Sequence, residues 1–177
     1  GILVVAKTDA AHSSLQHQIS SRSAERKYLA LVWGETQFSQ AVVDAPLGRH
    51  PTDRQKMAVI HDTSRHTARQ AVTDLSVFER FAGFTLLEAR LQIRVHLSFI
   101  NHPVVGDPTY GGRKRPLPPG YSKRAQQELQ SLISDLHGQA LHARLLAFDH
   151  PVSGRRLTFE APLPADFGAL LHWLRQR

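Results

Sequence analysis

The sequence predicts an α+β fold: a mixed, mainly antiparallel β-sheet with flanking helices. Three observations predict it. Short apolar runs rich in β-branched residues recur between turn residues; two pairs of them are joined by short turns, as in hairpins; and other segments carry apolar residues at helical spacing. The chain has 177 residues, 41% of them hydrophobic, which is enough for one compact core. Aromatic content is only 7%, so aliphatic side chains must fill most of it. With no repeat, low-complexity tract or linker in view, residues 1–177 read as a single domain.

Ile2 to Ala6 is a continuous apolar run, expected as a buried strand. Ala11, Leu15 and Ile19 follow at i, i+4 and i+8 and predict a short amphipathic helix. Lys27 to Val32 predicts a second strand, closed by Gly34, and Val42–Val43 a short one before Pro46. Residues 45–56 read as a polar, proline-containing loop with Arg49, Arg54 and Lys56, after which Met57 to Ile60 is apolar again. Ala68 to Phe81 predicts one long strand, turned at Ala82-Gly83 into Phe84 to Leu91. Ile93, Leu97 and Ile100 have helical spacing, and His102-Pro103 ends that helix because proline disfavours helical geometry in the residue before it.

Residues 106–121 are rich in Gly and Pro and carry Arg113, Lys114 and Arg115, a long basic surface loop. Leu129, Leu132, Ile133 and Leu136 form an i, i+3, i+4, i+7 stripe, predicting a helix over 123–136. Leu141 to Phe148 and Leu157 to Ala161 flank the turn at 151–154 as a second hairpin, and Asp166 to Leu174 closes the chain as a helix.

Lys and Arg number 22 against 15 Asp and Glu, a formal charge of +7. Such a balance favours polyanionic partners, because basic side chains displace counterions from phosphates. The absence of cysteine excludes disulfides, thiolate catalysis and Cys-ligated zinc. No apolar run reaches the ~18 residues of a membrane span, and GILVVAKTDA lacks the basic start of a signal peptide. It reads as the middle of a domain, with residues expected ahead of Gly1. The histidine pairs His12/His17, His61/His66 and His137/His142 lie at i, i+5, which on a helix turns about 140° and makes a poor chelate, so scattered surface histidines are expected. There is no nucleophile elbow, P-loop or dinucleotide fingerprint, which disfavours acyl transfer, nucleotide hydrolysis and hydride transfer.

Four ordered segments then carry a resemblance: GILVVAKT (1–8), RKYLALVWG (26–34), QIRVHL with HPVVGDPTYGG (92–97 and 102–112), and QALHARLLAFDHPVSG (139–154) followed by FEAPLP. With PLGRHPTDRQKMAV (46–59), they span nearly the whole chain and resemble the RluA-type family of RNA pseudouridine synthases, whose large-subunit ribosomal RNA members are the most similar. The resemblance implies an isomerase that breaks the bond between uracil N1 and ribose, rotates the base and rejoins it through C5, with no cofactor or metal. It implies an essential aspartate, a tyrosine that stacks on the uracil, and an arginine that pairs with the aspartate.

On these residues the tyrosine maps to Tyr28 and the arginine to Arg94. A phenol offers a stacking face and a hydroxyl, and a guanidinium can hold a carboxylate with two parallel hydrogen bonds. Leu141 in ALHA resembles an apolar residue near the base, and Ile93, facing the core beside Arg94, is placed with it in the base pocket. Taken singly, each of these would be read as ordinary packing. Asp107 sits in a Gly/Pro loop where aspartate caps turns, and is read as structural rather than as the nucleophile. RNA contact is expected from Arg49, Arg54 and Lys56, and then from Arg113, Lys114 and Arg115, since loop cations can hold a splayed strand by its phosphates.

The chain departs from the family pattern twice. The aspartate of the H-R-L-D motif would fall ahead of Gly1, and a glycine-containing turn reading roughly E-T-G-R-T-H is missing between Leu91 and Gln92, where a strand pattern runs straight into a helix pattern. Both are expected to be segments absent from this sequence; an intact mass near 19.8 kDa would contradict that. The alternative is a non-catalytic RNA-binding module derived from a synthase. A hydrolase acting on a carbohydrate or nucleoside is weaker, because no convincing carboxylate pair is present. The expected partner is ribosomal RNA, with transfer RNA as alternative; the expected state is a cytoplasmic monomer without membrane contact.

Overall fold

The computed structural model describes residues 1–53, 55–60 and 68–177. The elements run α1 (Asp9–Ser20), β1 (Glu25–Trp33), β2 (Gln40–Asp44), β3 (Leu47–Arg49), β4 (Met57–Val59), β5 (Ala68–Arg69), β6 (Val72–Phe81), β7 (Phe84–Arg90), α2 (Ile93–Phe99), α3 (Lys123–Ser134), β8 (Leu141–Asp149), β9 (Arg156–Glu160) and α4 (Ala165–Arg175). Six strands form one sheet in the order β2-β6-β7-β1-β8-β9, and β4-β3-β5 form a small second sheet. Every strand pairing among the described residues is antiparallel, so the expected α+β class holds, without a parallel component.

The centre of the large sheet explains why β1 reads as an unbroken apolar run. Its last five residues, Leu29 to Trp33, are all buried because both faces of the strand are covered. On one face Leu29, Leu31 and Trp33, with Phe84 and Leu86 of β7, pack under α3 and α4 through Leu129, Ile133, Phe167, Leu170, Leu171 and Leu174. On the other, Ala30, Val32, Leu87 and Ala89 meet Ile93 and Leu97 of α2 and Val104. The two tight turns use glycine where the backbone requires it: Gly83 (φ 77) closes the β6–β7 hairpin and Gly34 (φ 88) ends β1. Gly112 answers a different need, since a Cβ there would lie 1.7 Å from the carbonyl oxygen of Val104.

Four expectations are corrected. Ile2 to Ala6 is not a buried strand: it runs extended beside β8, with Ile2 N–H donating to Ala143 O (3.0 Å). Ile2, Val4 and Ala6 pack on Leu15, Leu146 and Phe148, while Leu3 and Val5 are 84% and 72% exposed. An apolar run cannot by itself reveal that only one face is covered. Residues 45–56 are not all loop, because 47–49 form β3, paired to both β4 and β5. Ala68 to Phe81 is two strands in different sheets, broken after Arg69. The histidines are not all on the surface: His96 and His142 are 0% and 2% exposed. His61 and His66 lie outside the described residues.

The junction between β7 and α2 behaves as its missing turn residue implies. The strand ends at Arg90, the helix begins at Ile93, and the reversal falls on Leu91 (φ 61) and Gln92 (φ 39). Neither is glycine, so each sits in the left-handed region at a cost of about 1 kcal/mol. Partners hold the bend in place: the Thr73 hydroxyl donates to Leu91 O (2.9 Å) and lies 2.6 Å from His96 Nδ1, and His96 Nε2 donates to Ala45 O (2.9 Å). At the other end α2 stops because Asn101 turns left-handed (φ 63), which lets His102 N–H reach back to Leu97 O (2.8 Å).

Candidate active site

The strand β1, the start of α2 and the first residue of β8 converge where the large sheet meets the small one. Between them lies a cavity of about 380 Å³, lined by Tyr28, Ile93, Arg94 and Leu141 together with Arg26, Met57, Gln92 and Tyr110. Four residues singled out from the sequence, distant from one another along the chain, thus share one pocket. Strand alternation explains the position of Tyr28. Residues 28, 30 and 32 point to the α2 face, and Tyr28 stands at the pocket end of that row, half-buried against the core on that face. No hydrogen bond among the described residues engages its hydroxyl. Ile93 and Leu97 are buried in the core, which leaves Arg94, one residue round the helix, 32% exposed at the pocket edge.

The guanidinium of Arg94 is held rigidly. Its Nε donates to Asp107 Oδ2 and its Nη2 to Asp107 Oδ1, both at 2.7 Å, the bidentate geometry that arginine and carboxylate favour. Asp107 is wholly buried and its Oδ1 also accepts the backbone N–H groups of Thr109 (2.8 Å) and Tyr110 (3.0 Å). Burial pushes its carboxyl pKa up, but the hydrogen bonds from Arg94, Tyr110 and Thr109 outweigh this and hold the group below the usual carboxylate range. The hydrogen bond to Asp107 raises Arg94 in turn. The turn-capping role expected of Asp107 is therefore present. The sequence did not show that this carboxylate, thirteen residues downstream, is the one that takes the arginine's fork.

From Asp107 the network continues to the small sheet. The ring of Tyr110 lies under the Arg94 guanidinium, 5.0 Å from centroid to Cζ. Its hydroxyl accepts the N–H of Met57 at the start of β4 (3.1 Å), and its carbonyl accepts from Ser98 Oγ (3.0 Å). Arg94 thus ties α2, the 107–110 turn and β4 together around the pocket. Tyr110 and Arg26 were not singled out from sequence. Arg26 had a usable signal, since it stands two residues before Tyr28 on the same strand and so on the same face. Tyr110 had none, because its place depends on a turn folding back over α2.

The proposed RNA-contacting cations are divided. Arg49 is exposed at the end of β3, and Lys56 is ion-paired to Asp53 at 3.2 Å. Arg54 lies outside the described residues. Arg113 and Lys114 line a separate groove with Gln130, His137 and Gln139, and Arg115 reaches Asn101 O (3.4 Å). None of the described ones lines the Tyr28 cavity, and neither does any described Asp or Glu. Chemically, the cavity offers an aromatic ring whose hydroxyl has no partner among the described residues, between aliphatic walls, with arginines in its lining. That suits a flat, polar heterocycle joined to an anionic chain.

Comparison with known proteins gives the family. Residues 1–99 match the sequence pattern described as RNA pseudouridylate synthase. The chain is 46% identical over 182 residues to the ribosomal large subunit pseudouridine synthase D of Pseudomonas aeruginosa, covering 99% of this chain and 53% of that protein. It is 42% identical to an uncharacterised RNA pseudouridine synthase of Bacillus subtilis, over 99% of this chain and 52% of the relative. The chain therefore spans about half the length of these curated relatives. Among solved structures, human RNA pseudouridylate synthase domain containing 4 superposes with a TM-score of 0.69 at 29% identity, covering 96% of this chain and 69% of that one. A sequence alike over nearly its whole length and a backbone that superposes on the same class of protein place this chain in the RNA pseudouridylate synthase family.

Proposed function

We propose that this chain forms the uridine-binding part of an RNA pseudouridine synthase acting on structured RNA, large-subunit ribosomal RNA first and transfer RNA as the alternative. One observation supports it above the rest: the cavity that gathers Tyr28, Ile93, Arg94 and Leu141 from three separate elements. A uridine stacked in RNA cannot be rearranged in place. It must be turned out into a pocket, at a cost of a few kcal/mol that contacts there must recover. The Tyr28 ring supplies a stacking face, and Ile93, Leu141 and Met57 supply the apolar walls. In the reaction the N1–C1′ bond breaks, the uracil rotates, and C5 bonds to C1′ while C5 loses a proton and N1 gains one. The Tyr28 hydroxyl, without a partner among the described residues, is assigned to handle the C5 proton. Arg94 keeps N–H groups beyond the two committed to Asp107, and these can donate to a uracil carbonyl or a reacting carboxylate.

Arg49, Arg54 and Lys56, and more distantly Arg113, Lys114 and Arg115, are assigned to RNA phosphates outside the base pocket. The expected state is a cytoplasmic monomer. No described helix is long and apolar enough to cross a membrane. The test is incubation of the protein with a ribosomal RNA transcript, followed by nucleoside chromatography for pseudouridine, with Tyr28→Phe in parallel. Because the essential aspartate is not among residues 1–177, product is expected only when the protein tested also carries that aspartate, and there Y28F should reduce it at least about 100-fold at similar RNA affinity, as for a proton-handling phenol. RNA binding with no product from a protein that carries the aspartate would move the assignment to a non-catalytic RNA-binding module.

A further inference from the structure

Beside the base cavity lies a second one, also of about 380 Å³, between the end of α1, the start of β1 and the end of β7. The two share Arg26 and Leu91, so one opens towards the other across the β1 strand end. Arginines dominate the second groove: Arg22, Arg26, Arg90 and Arg156 face it, against the carboxylates of Glu25 and Asp74. Two of the cations are anchored by the protein itself. Arg90 Nη2 bonds Glu25 Oε1 (3.2 Å), and Arg156 Nη1 donates to Ser23 O (3.0 Å) and to Asp149 Oδ1 (3.4 Å). Glu25 is further neutralised by Lys27 at 3.4 Å.

Arg26 differs from these. Its Nε is buried and meets no hydrogen-bond partner among the described residues. A guanidinium N–H removed from water and left without an acceptor is unfavourable, and fold stability gives no reason to keep it at the mouth of a pocket. An anion in the groove that drew the guanidinium round, so that Nε turned towards it, would remove that cost. Arg26 and Tyr28 stand on the same face of β1, about 6–7 Å apart along the strand, so a ligand stacked on Tyr28 presents its neighbouring groups to Arg26.

We propose that this groove is a phosphate subsite: Arg26, supported by Arg22 and Arg90, receives the RNA phosphodiester adjoining the uridine held against Tyr28. This rests on the uridine-binding reading and deepens it by assigning the position of the strand as it leaves the pocket. A phosphodiester suits the site because it carries acceptor oxygens and a single charge, can accept the Nε and Nη donors of one guanidinium together, and necessarily accompanies a uridine turned out of its stack.

The test measures binding of a nine-nucleotide RNA with one central uridine across a salt series, by fluorescence anisotropy, with the full chain. Arg26→Gln is expected to weaken binding at least fivefold and to lower the slope of log affinity against log salt by about 0.7, the loss of one single-strand phosphate contact. R26K should retain most of the slope. A second arm replaces each phosphodiester in turn with a neutral methylphosphonate: one linkage beside the uridine should weaken binding to the unaltered protein and have no further effect on R26Q. A flat methylphosphonate scan, or R26Q with unchanged affinity and slope, on an RNA bound in a uridine-dependent way overturns the phosphate subsite and leaves the base pocket standing. An unaltered protein that binds the uridine RNA no better than a uridine-free control overturns both.

Discussion

The two faces of the large sheet are built on different principles. Under α3 and α4 the face is held by apolar packing, and Phe84, Leu31, Leu129, Leu170 and Leu171 lose essentially all contact with solvent. The face under α2 is equally tight beneath Leu97 and Val104, but opens at one end into the Tyr28 cavity. There the structure is held by directional bonds instead of bulk: the Arg94–Asp107 fork, the Tyr110 hydroxyl on Met57, and the Thr73–His96–Ala45 bridge behind Leu91. Apolar packing is non-directional and closes whatever it covers. A pocket that must stay open needs its walls placed by bonds with fixed geometry.

Substitutions can break or sharpen that contrast. The largest effect is expected on the face under α3 and α4. Leu170→Ala should cost about 3–5 kcal/mol in urea unfolding, because the close-packed layer cannot collapse into the space left, while affinity for uridine RNA per folded molecule stays constant. Equal loss of affinity and stability would mean that the two faces do not separate.

On the open face Asp107→Asn should cost about 2–4 kcal/mol, since it leaves Arg94 without its buried partner, and here RNA affinity should fall as well. The pH dependence has a definite sign. The folded-state pKa of Asp107 is depressed, so its stabilising contribution is present above the unfolded value of about 3.9 and is lost as pH falls through the lower folded value. Unfolding free energy of the unaltered protein should therefore decline below about pH 4, and D107N should lack that part of the decline. An identical acid profile in D107N would show that the fork does not govern acid stability.

A smaller effect is expected at the strained bend. Gln92→Gly should stabilise by about 0.5 kcal/mol, the relief of a left-handed residue less the added freedom of the unfolded chain. Destabilisation instead would mean that the Gln92 side chain supports the pocket. The smallest stability effect is expected for Tyr28→Phe, within about 0.5 kcal/mol, because no hydrogen bond among the described residues engages its hydroxyl. A larger loss in thermal unfolding would make Tyr28 a packing residue first.

The legibility of the chain divides along the same lines. Elements with a strong local period were readable, such as α3 from its leucine stripe and the β6–β7 hairpin from Ala82-Gly83 between apolar runs. The apolar run at 2–6 misled, because covering one face or both is decided by what packs there, and residue type does not record it. The break after Arg69 was hidden for a related reason: Gln70-Ala71 carries no turn signal, and the strand divides because its two parts serve different sheets. At the site, Tyr28, Ile93, Arg94 and Leu141 were found from the motifs around them, whereas Tyr110 and the Arg94–Asp107 pairing had no local signature.

By itself the sequence determined the helical and strand periods, the glycine turns, the excess of positive charge and the family motifs, because these are properties of neighbours along the chain. It also determined that the approach to α2 would be awkward, since no residue suited to a left-handed turn stands at Leu91-Gln92. Only the tertiary structure decided which carboxylate meets Arg94, that a tyrosine from the 107–110 turn closes the pocket wall, and that Arg26 is left beside it with a buried donor that has no partner among the described residues. These are contacts between segments that sequence spacing does not relate, and they exist only once burial of the apolar faces has brought the strand ends, the α2 start and the small sheet together.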